Sequence, residues 1–155
     1  IRYNIFRNTA LNSAITNGGR AINCSAPDNA IYNNVIISSG EDGITATGGC
    51  RNVKIYNNTL YKNKRYGINL NMDASGGIKN NIIYLSGSSA IANTCGGTLT
   101  LSNNFTANPL FVDVENGKFS LQATSPAIGM GAITGTTSET VAAPVAPSSL
   151  QALAR

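Results

Sequence analysis

The side chains of this sequence that could do acid–base chemistry recur just before a repeated isoleucine. Two to four residues ahead of successive isoleucines the chain has Arg20, Glu41, Asp42, Lys64, Arg65 and Tyr66. A base beside a cation can remove a proton next to a substrate carboxylate and neutralise that carboxylate. We therefore predict Lys64, Arg65 and Tyr66 as catalytic residues. Because calcium prefers carboxylate oxygens, Glu41 and Asp42 are the predicted calcium ligands.

The same six residues also fit a purely structural hypothesis. If the segments that carry them stack on one another, their charges alternate along one edge of the molecule. Each exposed ion pair of such a ladder contributes about 0–1 kcal/mol to stability. The sequence leaves both hypotheses open.

The elements that must position these residues are set by a repeat. Related four-residue phrases end in Asn at positions 4, 34, 58, 81 and 104, in steps of 30, 24, 23 and 23 residues. A small residue followed by Ile keeps the same period at Ile22, Ile44, Ile68 and Ile91. Repeats of this length cannot bury their own apolar face, so they indicate a solenoid.

Short alternating runs such as Val53–Tyr56, bounded by Gly, Asn and Ser, are typical of strands and turns. The sequence therefore predicts an all-β parallel β-helix in which each repeat is one coil, with room for about six coils. The isoleucines point inward. The repeated Asn tolerates left-handed turn geometry, and stacked amides can hydrogen-bond from coil to coil. We predict a structural asparagine ladder.

The phrases Ile55-Tyr-Asn-Asn-Thr-Leu60 and Tyr66-Gly-Ile-Asn-Leu70 resemble the right-handed parallel β-helix repeats of pectate-lyase-like proteins. Asn108-Pro-Leu-Phe-Val-Asp113, Gly117-Lys-Phe-Ser-Leu-Gln122 and Ser125-Pro-Ala-Ile-Gly129 resemble the closing coil of secreted bacterial members. The resemblance covers roughly residues 1–132. It implies a secreted, extracellular protein, but it does not determine the activity, because this fold serves many functions.

In lyases of this architecture the substrate lies across the outer face of the sheet that carries the Gly-Ile phrase. The resemblance therefore implies a strip for a sugar chain on that sheet and its adjoining turns. Because strand side chains alternate, we expect outward-facing, open positions beside the inward isoleucines. The predicted substrate-binding residues are Arg20, Asn23, Thr45, Asn69 and Asp73. Asp73 equally fits a turn-stabilising role.

The cysteines at 24 and 50 fall in the same turn region of neighbouring coils. They are within reach of a disulfide, and buried free thiols are the alternative. Cys95 lies two coils from Cys50 and would be left free. The chain has no His, so a zinc site is not expected.

The composition of the chain indicates which binding partners are favoured. The 155 residues carry a net charge of +4, and only 12% are charged. A mild positive charge favours an acidic polymer over a basic one. No cluster of Lys and Arg suggests nucleic acid, and no apolar run reaches the roughly 18 residues that span a membrane. We expect no nucleic acid partner and no membrane span.

We predict two segments: β-helix coils over 1–132, with a cap from about 108, and a linker tail over 133–155. The tail resembles the start of a fibronectin type III module. The chain opens inside a repeat phrase, so we expect the C-terminal part of a larger protein.

Two functions follow as hypotheses. The first is a secreted, lyase-like protein that binds or processes an acidic glycan, and the sequence leaves open whether these coils catalyse. The alternative is a non-catalytic structural or adhesive β-helix, whose exposed terminal coil would allow end-to-end self-association.

Overall fold

The computed structural model describes residues 1–7, 19–94 and 97–132. Within them, three parallel sheets of four strands each wind into a β-helix, as the repeat predicts. Sheet 1 comprises β1 (Ile5–Arg7), β4 (Val35–Ile37), β7 (Thr59–Tyr61) and β10 (Ile82–Tyr84). Sheet 2 comprises β2 (Ile22–Cys24), β5 (Ile44–Ala46), β8 (Ile68–Leu70) and β11 (Ile91–Asn93). Sheet 3 comprises β3 (Ala30–Tyr32), β6 (Val53–Tyr56), β9 (Gly76–Lys79) and β12 (Leu99–Ser102).

The number of coils is smaller than expected. From the first strand of each sheet to its last the described chain makes about three full turns, so the expectation of about six coils is wrong. The reason is that the chain leaves the helical path after an isolated bridge between Ile82 and Phe105. It continues as an antiparallel hairpin, β13 (Phe111–Asp113) and β14 (Lys118–Leu121), joined by the short 3₁₀ helix Val114–Asn116.

The interior is a stack of aliphatic side chains in register. Ile22, Ile44 and Ile68 of sheet 2 are buried, and the equivalent residues of sheet 3 continue the stack with Ile31, Ile55 and Ile78. The inward direction predicted for the repeated isoleucines is therefore confirmed. At the last coil, the side chain in register with Ile78 is Leu101, which is 53% exposed.

The asparagine ladder is confirmed. The backbone N–H and the side-chain Nδ2 of Asn58 both donate to Oδ1 of Asn81, at 2.9 and 3.0 Å. Asn34 donates to Asn58 in the same way, and Asn81 to Asn104. Each inner amide also donates to backbone carbonyls, as Asn58 does to that of Ile31 at 3.0 Å. Every coil is thus tied to the next by the same two bonds.

The left-handed backbone belongs to a different asparagine. At this turn the residues with positive φ, near +53°, are those just before the ladder, at Asn33, Asn57, Asn80 and Asn103. The double Asn therefore divides two tasks that we had assigned to one residue. The first Asn adopts the strained turn conformation, which Asn tolerates, and the second supplies the buried amide.

The C-terminal hairpin lies against the side of the β-helix. Its Phe111, Phe119 and Leu121 form a second apolar cluster with outward side chains of sheet 1, among them Tyr61 and Ile82. The Tyr61 ring makes edge-to-face contacts with both phenylalanines, with ring centroids 6.0 and 5.7 Å apart. The segment we expected to close the helix end therefore covers an outer face of sheet 1.

Cys24 and Cys50 form a disulfide, with their Cα atoms 5.9 Å apart. It joins the end of β2 to the turn that follows β5, which confirms the first of our two alternatives. The prediction for Cys95 and the predicted 133–155 tail lie outside the described residues. No helix among the described residues is long and apolar enough to cross a membrane.

Candidate functional site

The turns that lead from sheet 1 into sheet 2 bring six predicted residues together: Arg20, Glu41, Asp42, Lys64, Arg65 and Tyr66. We call this surface the charged edge. Backbone bonds between successive coils set its register: the N–H of Glu41 donates to Gly19, and that of Arg65 donates to Glu41, both at 2.9 Å. These residues stack because each turn follows the same backbone path one coil further along.

Asp42 is the centre of the charged edge. Its side chain is 0% exposed, and Arg65 binds it through two bonds of 2.8 Å, from Nε to Oδ1 and from Nη2 to Oδ2. Thr45 Oγ1 and Asn69 Nδ2 donate to Oδ2 at 2.9 and 3.0 Å. The backbone N–H of Tyr66 completes the set at 3.3 Å from Oδ1. In every one of these contacts the neighbouring residue donates a hydrogen bond to the Asp42 carboxylate.

These donors determine the charge of Asp42. Burial alone raises the pKa of a carboxyl group, but the hydrogen bonds from Arg65, Asn69 and Thr45 outweigh it, and the pKa of Asp42 lies below its usual value of 3.8. The same bond to Asp42 raises the pKa of Arg65. Asp42 is therefore an anion that is paired with Arg65. A general base must first be unprotonated, so Arg65, whose pKa is raised, is a poor candidate for that role.

The surroundings of Asp42 give the predicted calcium site little support. A calcium site needs six to eight oxygen ligands, whereas Asp42 is enclosed by nitrogen and hydroxyl donors. Glu41 Oε2 lies 3.9 Å from Arg20 Nε, which itself lies 3.8 Å from Asp42 Oδ2. Among the described residues no group of three or more His, Cys, Asp or Glu side chains could hold a metal. Calcium at Glu41 and Asp42 stays a prediction, and we derive no step from it.

Lys64 is the most exposed member of the charged edge, and Tyr66 is partly accessible beside Arg65. Lys64 is exposed, and Tyr66 is half-buried with the Arg65 guanidinium carbon 5.2 Å from its ring centroid. Arg65 thus joins the buried Asp42 to the surface tyrosine. A ligand arriving at this edge meets an ammonium group and an aromatic ring beside it.

The predicted sugar strip on sheet 2 needs a correction. Asn23 is exposed and lines a depression of about 200 Å³ at the first coil. Thr45 and Asn69 are buried, although we expected them on an open surface. The cause is Asp42, because both side chains turn toward its Oδ2 and donate to it. Of these three residues, only Asn23 offers a ligand its side chain.

Asp73 lies apart from the charged edge, in the turn that follows sheet 2. Its carboxylate accepts bonds from the Arg51 guanidinium and, at 3.0 Å, from the N–H of Gly49. The bond from Arg51 and then that from Gly49 hold the pKa of Asp73 below its usual value. These contacts support the turn-stabilising alternative.

Sequence reasoning missed a second set of polar side chains, on the outer face of sheet 3. Lys54, Tyr56 and Lys79 lie there beside one another, and Tyr32 precedes Tyr56 in the same column. The signal was present in the repeat, because Tyr32 and Tyr56 occupy the same place in phrases 24 residues apart.

The architecture described above defines a parallel β-helix protein. A family model described as the right handed beta helix region matches residues 2–126. The chain therefore belongs to the right-handed β-helix family, which confirms the handedness that the resemblance implied. Comparisons with curated proteins and with solved structures found no match.

Proposed function

We propose that this chain is part of a secreted protein that binds an acidic polysaccharide along its charged edge. The observation that carries the proposal is the state of Asp42, whose charge is cancelled within the fold by the bidentate bond to Arg65. Three cations and two carboxylates line the edge, and Lys64 projects from it into solvent. The edge therefore presents excess positive charge beside the ring of Tyr66, which suits a chain of anionic sugars.

Two further features support this proposal. The Cys24–Cys50 disulfide is a feature of proteins in oxidising compartments, which supports secretion. The net charge of +4 makes an acidic polymer the favoured partner of the molecule as a whole. The likeness to pectate-lyase-like repeats agrees with both.

A lyase-like reaction at the same edge would fall to Lys64 and Tyr66. Arg65 is committed to Asp42, so its part is to hold the ring of Tyr66 in place. In this elimination Lys64 or Tyr66 accepts the proton next to the sugar carboxylate. The freed electron pair forms the carbon–carbon double bond of the unsaturated product, and the glycosidic oxygen leaves and takes a proton from solvent. If Tyr66 is the base, the exposed Lys64 ammonium neutralises the sugar carboxylate. Binding alone requires neither step.

The test is a titration of the chain with alginate, pectate, chondroitin and hyaluronan, followed by isothermal calorimetry and by the ultraviolet absorbance of unsaturated product. We expect binding that weakens in Lys64→Ala and persists in Lys118→Ala, a matched loss of one charge on the hairpin. Product that disappears in Tyr66→Phe would assign catalysis to this edge. If none of the four polymers binds, the proposal is wrong.

A second candidate function, a structural or adhesive β-helix, is favoured by one observation. Leu101, in register with the buried Ile78, is 53% exposed at the last coil of the described chain. Exposed strand ends with apolar side chains can pair with another chain. This function predicts concentration-dependent assembly in size-exclusion chromatography that Leu101→Lys abolishes. A strict monomer at high concentration would contradict it.

A further inference from the structure

The outer face of sheet 3 carries one column of aromatic and basic side chains. Arg2 pairs with Tyr32 through an isolated parallel β-bridge of the backbone. Tyr32 is in register with Tyr56, and Tyr56 is in register with Lys79. Ser102 follows Lys79 on the last coil. Because strand side chains alternate, these residues point away from the isoleucine core. Sheet 3 therefore has an ordered polar face that the charged edge does not include.

The aromatic part of this column ends at Tyr56, whose ring is half-buried. The rings of Tyr32 and Tyr56 stack with centroids 4.8 Å apart and an interplanar angle of 4°. One face of Tyr56 is thus covered by Tyr32. The opposite face looks along the stacking direction toward the next coil, where the residue in register is Lys79.

A notch lies on that side of Tyr56. Gly77, in register with Lys54, has no side chain, and a Cβ placed on it would meet no atom within 4 Å. The resulting depression has a volume of about 300 Å³. Its lining consists of one ring, two ammonium groups, two hydroxyl groups and a strand floor: Tyr56, Lys54, Lys79, Thr100, Ser102, Gly77 and Ile78.

The charge of the notch has one sign. Lys54 and Lys79 are both exposed, and neither forms an ion pair within the part of the chain that the structure describes. No Asp or Glu is among the lining residues. A group that enters the notch therefore meets two unneutralised cations at a surface that also offers an apolar ring.

We propose that this notch is a binding subsite for one anionic sugar residue of an acidic polysaccharide. The C–H face of the sugar packs on the part of the Tyr56 ring that lines the notch, and Lys54 and Lys79 neutralise its carboxylate. Thr100 and Ser102 exchange hydrogen bonds with its hydroxyl groups. The proposal rests on the proposed function, since it takes the same class of ligand, but it assigns that ligand a second place on the molecule.

Single-stranded nucleic acid is the other polymer that uses basic and aromatic side chains together. Such sites stack successive bases on successive rings along a positively charged groove. Here the rings of Tyr32 and Tyr56 stack on each other, so a base cannot enter between them, and the notch accepts a single ring. The geometry favours one sugar over a run of bases.

The experiment is calorimetric titration of the full chain with polygalacturonate, with neutral dextran as the uncharged control polymer. The Lys54→Ala/Lys79→Ala double variant should bind about tenfold more weakly, since each lysine contributes a modest exposed ion pair. Gly77→Val fills the notch with a residue suited to strands. It should also weaken binding about tenfold while leaving the melting temperature unchanged or higher, which a merely structural role would not produce. Lys118→Ala is the matched charge control.

The outcomes separate this subsite from the proposed function. Weaker binding in both notch variants, with Lys118→Ala unchanged, supports the subsite. Polygalacturonate binding that Lys64→Ala weakens and that both notch variants retain overturns the subsite alone. A wild-type chain that binds no acidic polysaccharide overturns the proposed function together with the subsite. Binding of an oligothymidylate in preference to polygalacturonate also overturns it.

Discussion

Asp42 is the residue on which the charged edge depends. Replacing it with Asn keeps the shape of the side chain but leaves the guanidinium of Arg65 without its anion. The new amide nitrogen also faces hydrogen-bond donors that a carboxylate oxygen accepts in the wild type. We expect Asp42→Asn to lower the free energy of unfolding by about 3 kcal/mol, as for other broken buried pairs. Urea denaturation measures it. Asp73→Asn, at an exposed pair with Arg51, should cost less than about 1 kcal/mol, and equal losses in the two variants would contradict this account.

The same residue predicts how stability depends on pH. The pKa of Asp42 is lower in the folded chain than its usual value of 3.8, so the unfolded chain binds the proton more tightly. Its contribution is therefore complete above about pH 5 and is lost as the pH falls through the folded pKa. Urea midpoints measured from neutral to acidic pH should fall less steeply in Asp42→Asn than in the wild type. Parallel curves would show that Asp42 does not titrate with folding.

Leu85 illustrates the strain that a repeat leaves in single residues. It occupies a turn with φ +57°, the same place as Ser38 and Lys62 on earlier coils, and its side chain is 50% exposed. Left-handed backbone costs most L-residues roughly 1–2 kcal/mol, and Asn tolerates it better. Leu85→Asn should therefore raise the free energy of unfolding by about 0.5–1 kcal/mol. Val112→Asn likewise replaces an exposed apolar side chain with Asn, but on a strand position without positive φ. Thermal melts of both variants therefore separate backbone relief from polarity.

At the scale of the element, the double Asn predicts two different outcomes for neighbouring residues. Asn58→Ala removes an amide that makes bonds to Asn81 and to the carbonyls of Ile31 and Tyr56. Because buried groups then lack partners, we expect a loss of about 3 kcal/mol or more. Asn57→Gly meets the need for positive φ, so it should change stability by less than about 1 kcal/mol. Equal losses, measured by guanidinium denaturation, would contradict the division of tasks.

Elements whose residues repeat with the coil were predictable from the sequence. Apart from one step of 30 residues, the inward isoleucines and the ladder amides recur every 22 to 24 residues, and a solenoid stacks them coil on coil. The meeting of Glu41, Asp42 and Arg65 on one edge follows from the same spacing. The burial of Thr45 and Asn69 does not, because it depends on which direction the Asp42 carboxylate takes after folding.

The position of the hairpin was harder to predict. Phe111 and Phe119 need an apolar surface to pack on, but their sequence does not identify that surface. The sequence of sheet 1 contains the pattern that identifies this surface. The run Val35-Ile36-Ile37 is apolar at every position, and a strand buried on both faces has this pattern. Ile36 fills the core, while Val35 and Ile37 face the hairpin. The continuous run thus indicated a covering layer on the outside of that sheet.

At the scale of the whole molecule, the hairpin joins coils that a solenoid would otherwise connect only to their neighbours. Glu115 accepts a bond from Lys62 at 2.9 Å, and the N–H of Gly131 donates to Asn80 at 2.8 Å, so the segment contacts two successive coils. In a simple solenoid stability is a sum over adjacent repeats, and parts can unfold separately. A lateral layer makes such partial unfolding less favourable.

Phe119→Ala tests this coupling. Its ring is buried between Tyr61 and Phe111, with centroids 5.7 and 5.1 Å away. Truncation should cost about 3–5 kcal/mol and detach the hairpin, so that amide hydrogens of sheet 1 exchange faster than those of sheet 3. Val112→Ala, an exposed change on the same hairpin, should leave both stability and exchange within error of the wild type. If Phe119→Ala accelerates exchange equally in the two sheets, the hairpin stabilises the fold only globally, and the coils owe their cooperativity to the asparagine ladder.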